Sequence, residues 1–167
     1  PQTLESIGAD KEKIEVAKLM YEPKFRKALM FGVDNQLLAE GWSPFNYELS
    51  HRWVSKGSPQ RDWPELKEVV KKSDELYELK IDEANKLLDE LGLERGNDNW
   101  RKLDVDGKKV DVAVEIVVFT NAAWIDEITG MFKKQVEENL GVKVHTKAAG
   151  GGLAWEILAT GEYQFFS

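Results

Sequence analysis

Three groupings of residues have the types and spacing to handle a ligand. The first is Thr120 and Asn121 with Trp124, two hydrogen-bonding side chains and an indole directly after a run of β-branched residues. The second is Gly150-Gly151-Gly152, whose N–H groups can turn toward an anion. This triplet lacks the lysine of a P-loop and the spaced glycines of a dinucleotide fingerprint, so it reads as a permissive turn or an open ligand shelf. The third is the set Trp42, Phe45, Tyr47, Trp53 and Trp63, scattered among Ser, Gly and Pro between Gly41 and Pro64. A loop of this length inside a compact domain is usually functional, and its rings either lie over a ligand or pin the segment to the core.

Other chemistries do not assemble. His51 and His145 each stand alone without a second ligand at metal spacing, so no zinc site is expected. Asp104 and Asp106 before Gly107 open like a calcium loop, but the remaining ligands and the late glutamate are missing, which leaves a plain turn. Ser, His and Asp occur without a nucleophile-elbow sequence. The absence of cysteine excludes disulfides, a thiol nucleophile and thiolate metal sites. No catalytic set, cofactor or metal is expected. With a net charge of −7 and basic residues interleaved with acids, a nucleic-acid surface is not expected either. No run of about eighteen apolar residues offers a membrane span.

The elements that must position these groups follow from periodicity. Val110 to Phe119 is too apolar to face water on both sides and reads as a buried central strand. Thr120 to Trp124 is then the turn into a helix reaching Leu140, with Ile125, Ile128, Phe132, Val136 and Leu140 on one face and Gly141 as its stop. Val142 to Thr146 makes a second strand. The glycine triplet follows, then a short helix with Leu153, Ile157 and Leu158, and a final strand from Tyr163 to Ser167. The order strand, helix, strand, helix, strand predicts right-handed crossovers and a mixed, mostly parallel sheet flanked by helices, an α/β fold.

Upstream, Ile14, Ala17 and Tyr21 fall at helical spacing from Asp10 to Glu22. A second helix starts at Pro23, with Phe25, Ala28, Leu29 and Gly32 on one face. There Gly32 would let a neighbouring backbone approach. A helix opened by Pro64 carries Leu66, Val69 and Val70, and one from Ile81 carries Ala84, Leu88 and Leu91 and ends at Gly92. Arg95 to Asn99 is turn-like, and Trp100 to Val105 with Lys108 to Val112 reads as a hairpin around Asp106-Gly107.

Four segments, in order, resemble one family. The run from Phe25-Arg26-Lys27-Ala28-Leu29 to Asp34 resembles the "FRqALsyAiDr" helix of family 5 extracellular solute-binding proteins, the oligopeptide- and oligosaccharide-binding components of ABC importers. Glu83-Ala84-Asn85-Lys86-Leu87-Leu88-Asp89-Glu90-Leu91-Gly92-Leu93 resembles the family's "eANkLLDElGl". Trp100-Arg101 through Asp106-Gly107-Lys108 resembles its "yR…DGk" hairpin, and Leu158 to Phe165 its "l.sGeyD" junction. The chain departs from the pattern in its long charged approach from Pro1 to Tyr21, in Asn35 where Arg or Lys is usual, and in the glycines before the last helix. Those glycines remove an aromatic shelf and leave room for a bulkier ligand.

The resemblance implies a periplasmic-binding-protein type II-like lobe. Residues 1–167 would form one ligand-binding lobe of a larger two-lobe protein, with the aromatic-rich loop 41–64 within it. Thr120, Asn121, Trp124, Gly150, Gly151, Gly152, Phe166 and Ser167 would face the cleft, with Trp42 and Trp53 as further ligand contacts from the loop. It implies an oligosaccharide or oligopeptide ligand, ABC permease subunits and the protein's other lobe as partners, and a periplasmic or extracytoplasmic place, with a membrane-anchored lipoprotein as one form of the parent. Six tryptophans tilt the ligand toward an oligosaccharide. A chain that opens on Pro1 and closes in a strand reads as a piece of a longer protein, and an uncovered Tyr163–Ser167 edge would pair with a second copy. The alternatives are a small hydrolase-like α/β enzyme using the Thr120–Trp124 turn, and an interaction module built on the aromatic loop.

Overall fold

Several helix boundaries in the amino-terminal half follow side-chain chemistry. The computed structural model describes residue 5 and residues 8–42, 63–119, 123–160 and 165–166. Asp10 accepts from the Lys13 N–H at 2.8 Å and so caps α1, Lys11–Lys18, which tightens into a 3₁₀ turn over Leu19–Tyr21. Pro23 opens α2, Pro23–Phe31, and Phe25, Ala28, Leu29 and Phe31 are buried on it. The chain breaks at Gly32. Asp34 Oδ1 then accepts from the Leu37 N–H at 3.0 Å, and α3 runs Asn35–Trp42. Two more helices follow, α4 over Pro64–Leu76 and α5 over Ile81–Glu90. Helix α5 closes on Gly92 at φ 73°, with the Leu93 N–H returning to the Leu88 carbonyl at 3.1 Å.

The strands form two small sheets rather than the single, mostly parallel one expected. Strands β1 (Glu94–Arg95), β2 (Arg101–Val105) and β3 (Lys108–Asp111) make an antiparallel sheet in that order. Its hairpin turns at Asp106 and Gly107, both at positive φ, as the Asp-Gly pair predicted. Strands β4 (Ala113–Phe119), β5 (Lys143–Ala149) and β6 (Phe165–Phe166) make a parallel sheet in the order β5-β4-β6, so β4 is central. The run Val110–Phe119, read as one strand, is divided between the two sheets at Val112. The physical reason lies in its hydrogen bonds. The Val112 N–H donates to the Arg101 carbonyl at 2.8 Å on the hairpin side, and its carbonyl accepts from the Lys143 N–H at 3.0 Å on the parallel side.

Helix α6, Ala123–Gln135, joins β4 to β5 and widens into a π turn over Val136–Leu140 before Gly141 at φ 67°. Helix α7, Gly151–Thr160, joins β5 to β6. The alternation of side chains along β4 puts Val114, Ile116 and Val118 on one face, in a core with α2, α5 and the end of α6. Val117 faces the other way, into a smaller core with Ala149, Ala154 and Ile157. Among the described residues the parallel sheet therefore lies between a thick helical layer and α7.

Several apolar assignments shift. Tyr21 and Val69 are exposed at 66% and 54%, because α1 turns its Val16–Ala17–Leu19 side inward and α4 stands largely in solvent. Strand β5 runs to Ala149, beyond Thr146, because its ladder with β4 continues to the pair Phe119–Ala149. Glu94–Arg95, outside any predicted strand, pairs with Lys102 and Arg101. What fills the space at Gly32 is a side chain, Leu140, and not a backbone.

Candidate functional site

All three strands of the second sheet are parallel, so their carboxyl ends share one edge. Helix α6 starts there after β4 and α7 starts there after β5. At α7 the Ala154 N–H reaches the Gly150 carbonyl at 2.9 Å, which leaves the N–H groups of Gly151, Gly152 and Leu153 without an intrahelical acceptor. Among the described residues a Cβ built on Gly150, Gly151 or Gly152 would meet nothing within 4 Å, and none of the three is at positive φ. No left-handed backbone conformation therefore requires glycine at these three positions. The result is a bare shelf with donors.

Among its described side chains helix α7 buries little. Ala154 and Ile157 fill its inner side, while Leu153 and Trp155 are 50% and 68% exposed. Gly151 and Gly152 lie one turn before Trp155 on the same helix face, and helical side chains lean toward the amino terminus. That lean sets the indole on the side of the two glycines. Trp155 was not among the residues singled out in the sequence. The signal was there: counting Ala154 with Ile157 as the inward pair at i, i+3 turns position 155 outward, whereas counting Leu153 inward hides it.

The other sequence-predicted site residues divide by what the structure describes. Trp124 lies in the first turn of α6, Phe166 in β6 and Trp42 at the end of α3, each placed as backbone. Thr120, Asn121, Trp53 and Ser167 lie outside the described residues, as does most of the 41–64 loop. Trp63, at that loop's far end, is 53% exposed. Among the described residues no group of three His, Asp or Glu could hold a metal ion, and no helix is long and apolar enough to cross a membrane.

The opposite edge of the sheet is tied by charge. Asp111 accepts from the Lys143 ammonium at 2.6 Å and from that of Lys102, which also donates to Asp98 at 2.6 Å. These bonds, Lys102 first, hold the Asp111 carboxyl below the ordinary carboxylate value, and they raise Lys102 above the usual lysine range. Lys143 also stands 5.3 Å from the Trp100 ring centre. Beneath this edge Arg101, 2% exposed, donates to the carbonyls of Leu93 at 2.5 Å and Leu140 at 3.2 Å, to the Asn85 side chain at 2.7 Å and to Asp89. Among the described residues the two edges thus differ in kind: one is cross-linked by charge, the other bears backbone donors and an exposed ring.

No family model matches the chain, and no curated protein matches it in a sequence search. Solved structures do. The periplasmic binding protein MelB from Agrobacterium fabrum C58, in complex with stachyose, matches with a TM-score of 0.73 at 14% identity over 94% of this chain and 23% of its own. An oligopeptide-binding protein, OppA, matches at 0.70 with 26% identity over 89% and 22%. AppA from Bacillus subtilis, in complex with a nonapeptide, matches at 0.60 with 20% identity over 85% and 25%. The chain spans about a fifth to a quarter of the length of the solved structures it matches, 19% to 25%. The resemblance read from the four sequence segments is met in three dimensions: the chain has the fold of one segment of the family 5 extracellular solute-binding proteins.

Proposed function

We propose that residues 1–167 form one lobe of a two-lobe solute-binding protein of an ABC importer, which captures an oligosaccharide or an oligopeptide outside the cytoplasmic membrane and presents it to a permease. The observation that carries this reading is the fold match to binding proteins over 94% and 89% of the chain. In this reading the carboxyl edge of the parallel sheet is half of a clamp. Thr120, Asn121, Trp124, the glycine shelf, Phe166 and Ser167 face the ligand, Trp42 and Trp53 approach from the loop, and Trp155 joins them. The binding of small solutes outside the membrane also fits the periplasmic relatives.

Between the two ligand classes, the exposed indole of Trp155 beside a shelf of N–H donors favours a sugar. A pyranose offers a flat apolar face to an aromatic ring and hydroxyl oxygens to donors. Calorimetric titration of the protein containing both lobes, with stachyose and with a nonapeptide, tests the reading. Binding of stachyose supports the sugar form and binding of the peptide alone supports the other. Heat from neither overturns the proposal.

A further inference from the structure

A second concavity lies on the helical side of the molecule, away from the glycine shelf. Its volume is about 280 Å³, and it is lined by Met20, Arg26, Leu29, Met30, Val33, Asn35, Tyr77 and Phe132. Phe132 is nine residues along α6 from Ala123, about 13 Å from the helix start at 1.5 Å per residue. The groove is therefore separate from the proposed clamp.

Its walls are fixed by the backbone. The Asn35 side-chain N–H₂ donates to the carbonyls of Val33 at 3.3 Å and Tyr77 at 3.4 Å, and the Lys80 N–H donates to the Phe31 carbonyl at 2.8 Å. These bonds hold the segment after α4 against the junction of α2 and α3. Leu29 and Val33 are buried at its floor, 5% and 3% exposed. Met20 and Met30 supply adaptable walls.

Charge decides what fits. The chain carries 30 acidic residues and a net charge of −7, yet among the described residues no carboxylate lines this groove. Among the described residues the one charged group in its lining is Arg26. The guanidinium donates to the Met20 carbonyl at 2.9 Å, and no carboxylate among the described residues pairs with it. A guanidinium has five N–H donors in a planar fork suited to a carboxylate, so most of its capacity is open. The volume sits just below the roughly 300 Å³ at which pockets for drug-sized ligands begin, so the occupant is small.

We propose that this groove binds a small amphiphilic carboxylate, with the acid head on Arg26 and the apolar body against Leu29, Met30, Val33 and Phe132. This goes beyond the solute-capture reading and does not depend on it. The test follows the methyl signals of Met20 and Met30 by NMR in the 167-residue chain during titration with decanoate, with decanol as the uncharged control and Met131, which does not line the groove, as reference. Decanoate is expected to shift Met20 and Met30 and to bind about tenfold more tightly than decanol, the effect of one charge-assisted pair. Arg26→Glu should remove that tenfold advantage with thermal unfolding unchanged, and Met30→Trp should block both ligands by filling the groove.

Equal affinity of decanoate and decanol, an Arg26→Glu variant that binds as before, or shifts confined to other methyls would each overturn the proposal. Concentration-dependent broadening of the same two methyls without ligand would overturn it too, because a second copy of the chain would then be the occupant. Arg26→Glu should leave stachyose or peptide binding by the two-lobe protein unchanged, which separates failure here from failure of the clamp.

Discussion

Leu140 occupies the space that a side chain at position 32 would need: a Cβ built on Gly32 would stand 2.5 Å from Leu140 Cδ1 and 2.6 Å from Cδ2. Leu140 is fully buried, and the Asn139 side chain donates to the Gly32 carbonyl at 2.8 Å, so the end of α6 is seated on the end of α2. Gly32→Ala should therefore cost about 1–3 kcal/mol by overpacking, despite the helix propensity gained. Leu140→Ala alone should cost about 2–5 kcal/mol as a cavity. In the double variant the new methyl partly fills that cavity, and the costs should fall short of additive by about 1 kcal/mol in urea unfolding. Strict additivity would show that the two residues do not share the space.

Arg101 is predicted to matter more through carbonyls than through its ion pair. Asp89, its carboxylate partner, is 64% exposed, whereas the Leu93 and Leu140 carbonyls it serves are in the core. Arg101→Met should destabilise by about 3–5 kcal/mol, since it strands several buried acceptors at once. Asp89→Asn should cost no more than about 1 kcal/mol. Lysine at 101 cannot reproduce the planar fork and should recover less than half of the loss. Urea midpoints compared at constant slope give these values. Equal losses for Arg101→Met and Asp89→Asn would move the stabilisation to the ion pair.

Much of this arrangement was legible in the sequence, and the failures have specific causes. Asp-Gly at 106 and 107 named the hairpin, Pro23 and Pro64 named helix starts, and Gly92 and Gly141 named stops, because each acts through local backbone geometry. The partition of Val110–Phe119 was not legible. Val112 changes sheets through hydrogen bonds to Arg101 and Lys143, residues 11 before and 31 after it, and apolar periodicity carries no such information. Arg101 likewise reads as one of the 23 basic residues until α5 and the end of α6 close over it. At the candidate site the three glycines before the last helix could be read directly, whereas the exposure of Trp155 depended on which neighbours α7 turns inward.

Asp111 gives stability a defined acid limb. Lys102 and Lys143 hold its folded pKa below the unfolded value, so its contribution is fully present above about pH 4, the ordinary carboxylate value, and is lost as pH falls through the depressed folded value. Lys102 acts in the opposite sense. Its folded pKa is raised, so its contribution holds at neutral pH and is lost as pH rises past the usual lysine range. Asp111→Asn should flatten the loss of stability below pH 4 and blunt the alkaline limb as well. Thermal midpoints recorded from pH 2 to 11 for both proteins check this, and parallel curves at the acid end would exclude Asp111 as a contributor.

Trp155 offers a test of the proposed clamp that is separate from folding. At 68% exposure its ring gives the small core of Val117, Ala149, Ala154 and Ile157 little, so Trp155→Ala should change stability by no more than about 0.5 kcal/mol. In the two-lobe protein the same change should weaken sugar binding by about 2 kcal/mol, the scale on which a buried aromatic anchor acts. Gly152→Val offers a complementary probe. Among the described residues nothing within 4 Å opposes a Cβ there, and valine is a better helix former than glycine, so folding should lose no stability, while the added methyls crowd the shelf. Trp124→Ala should also weaken binding without unfolding the lobe, and unchanged affinity would assign Trp124 to the core. Should Trp155→Ala and Gly152→Val both bind stachyose as the unaltered protein does, the ligand lies elsewhere on the sheet edge, and α7 serves only to cover the second face of β4.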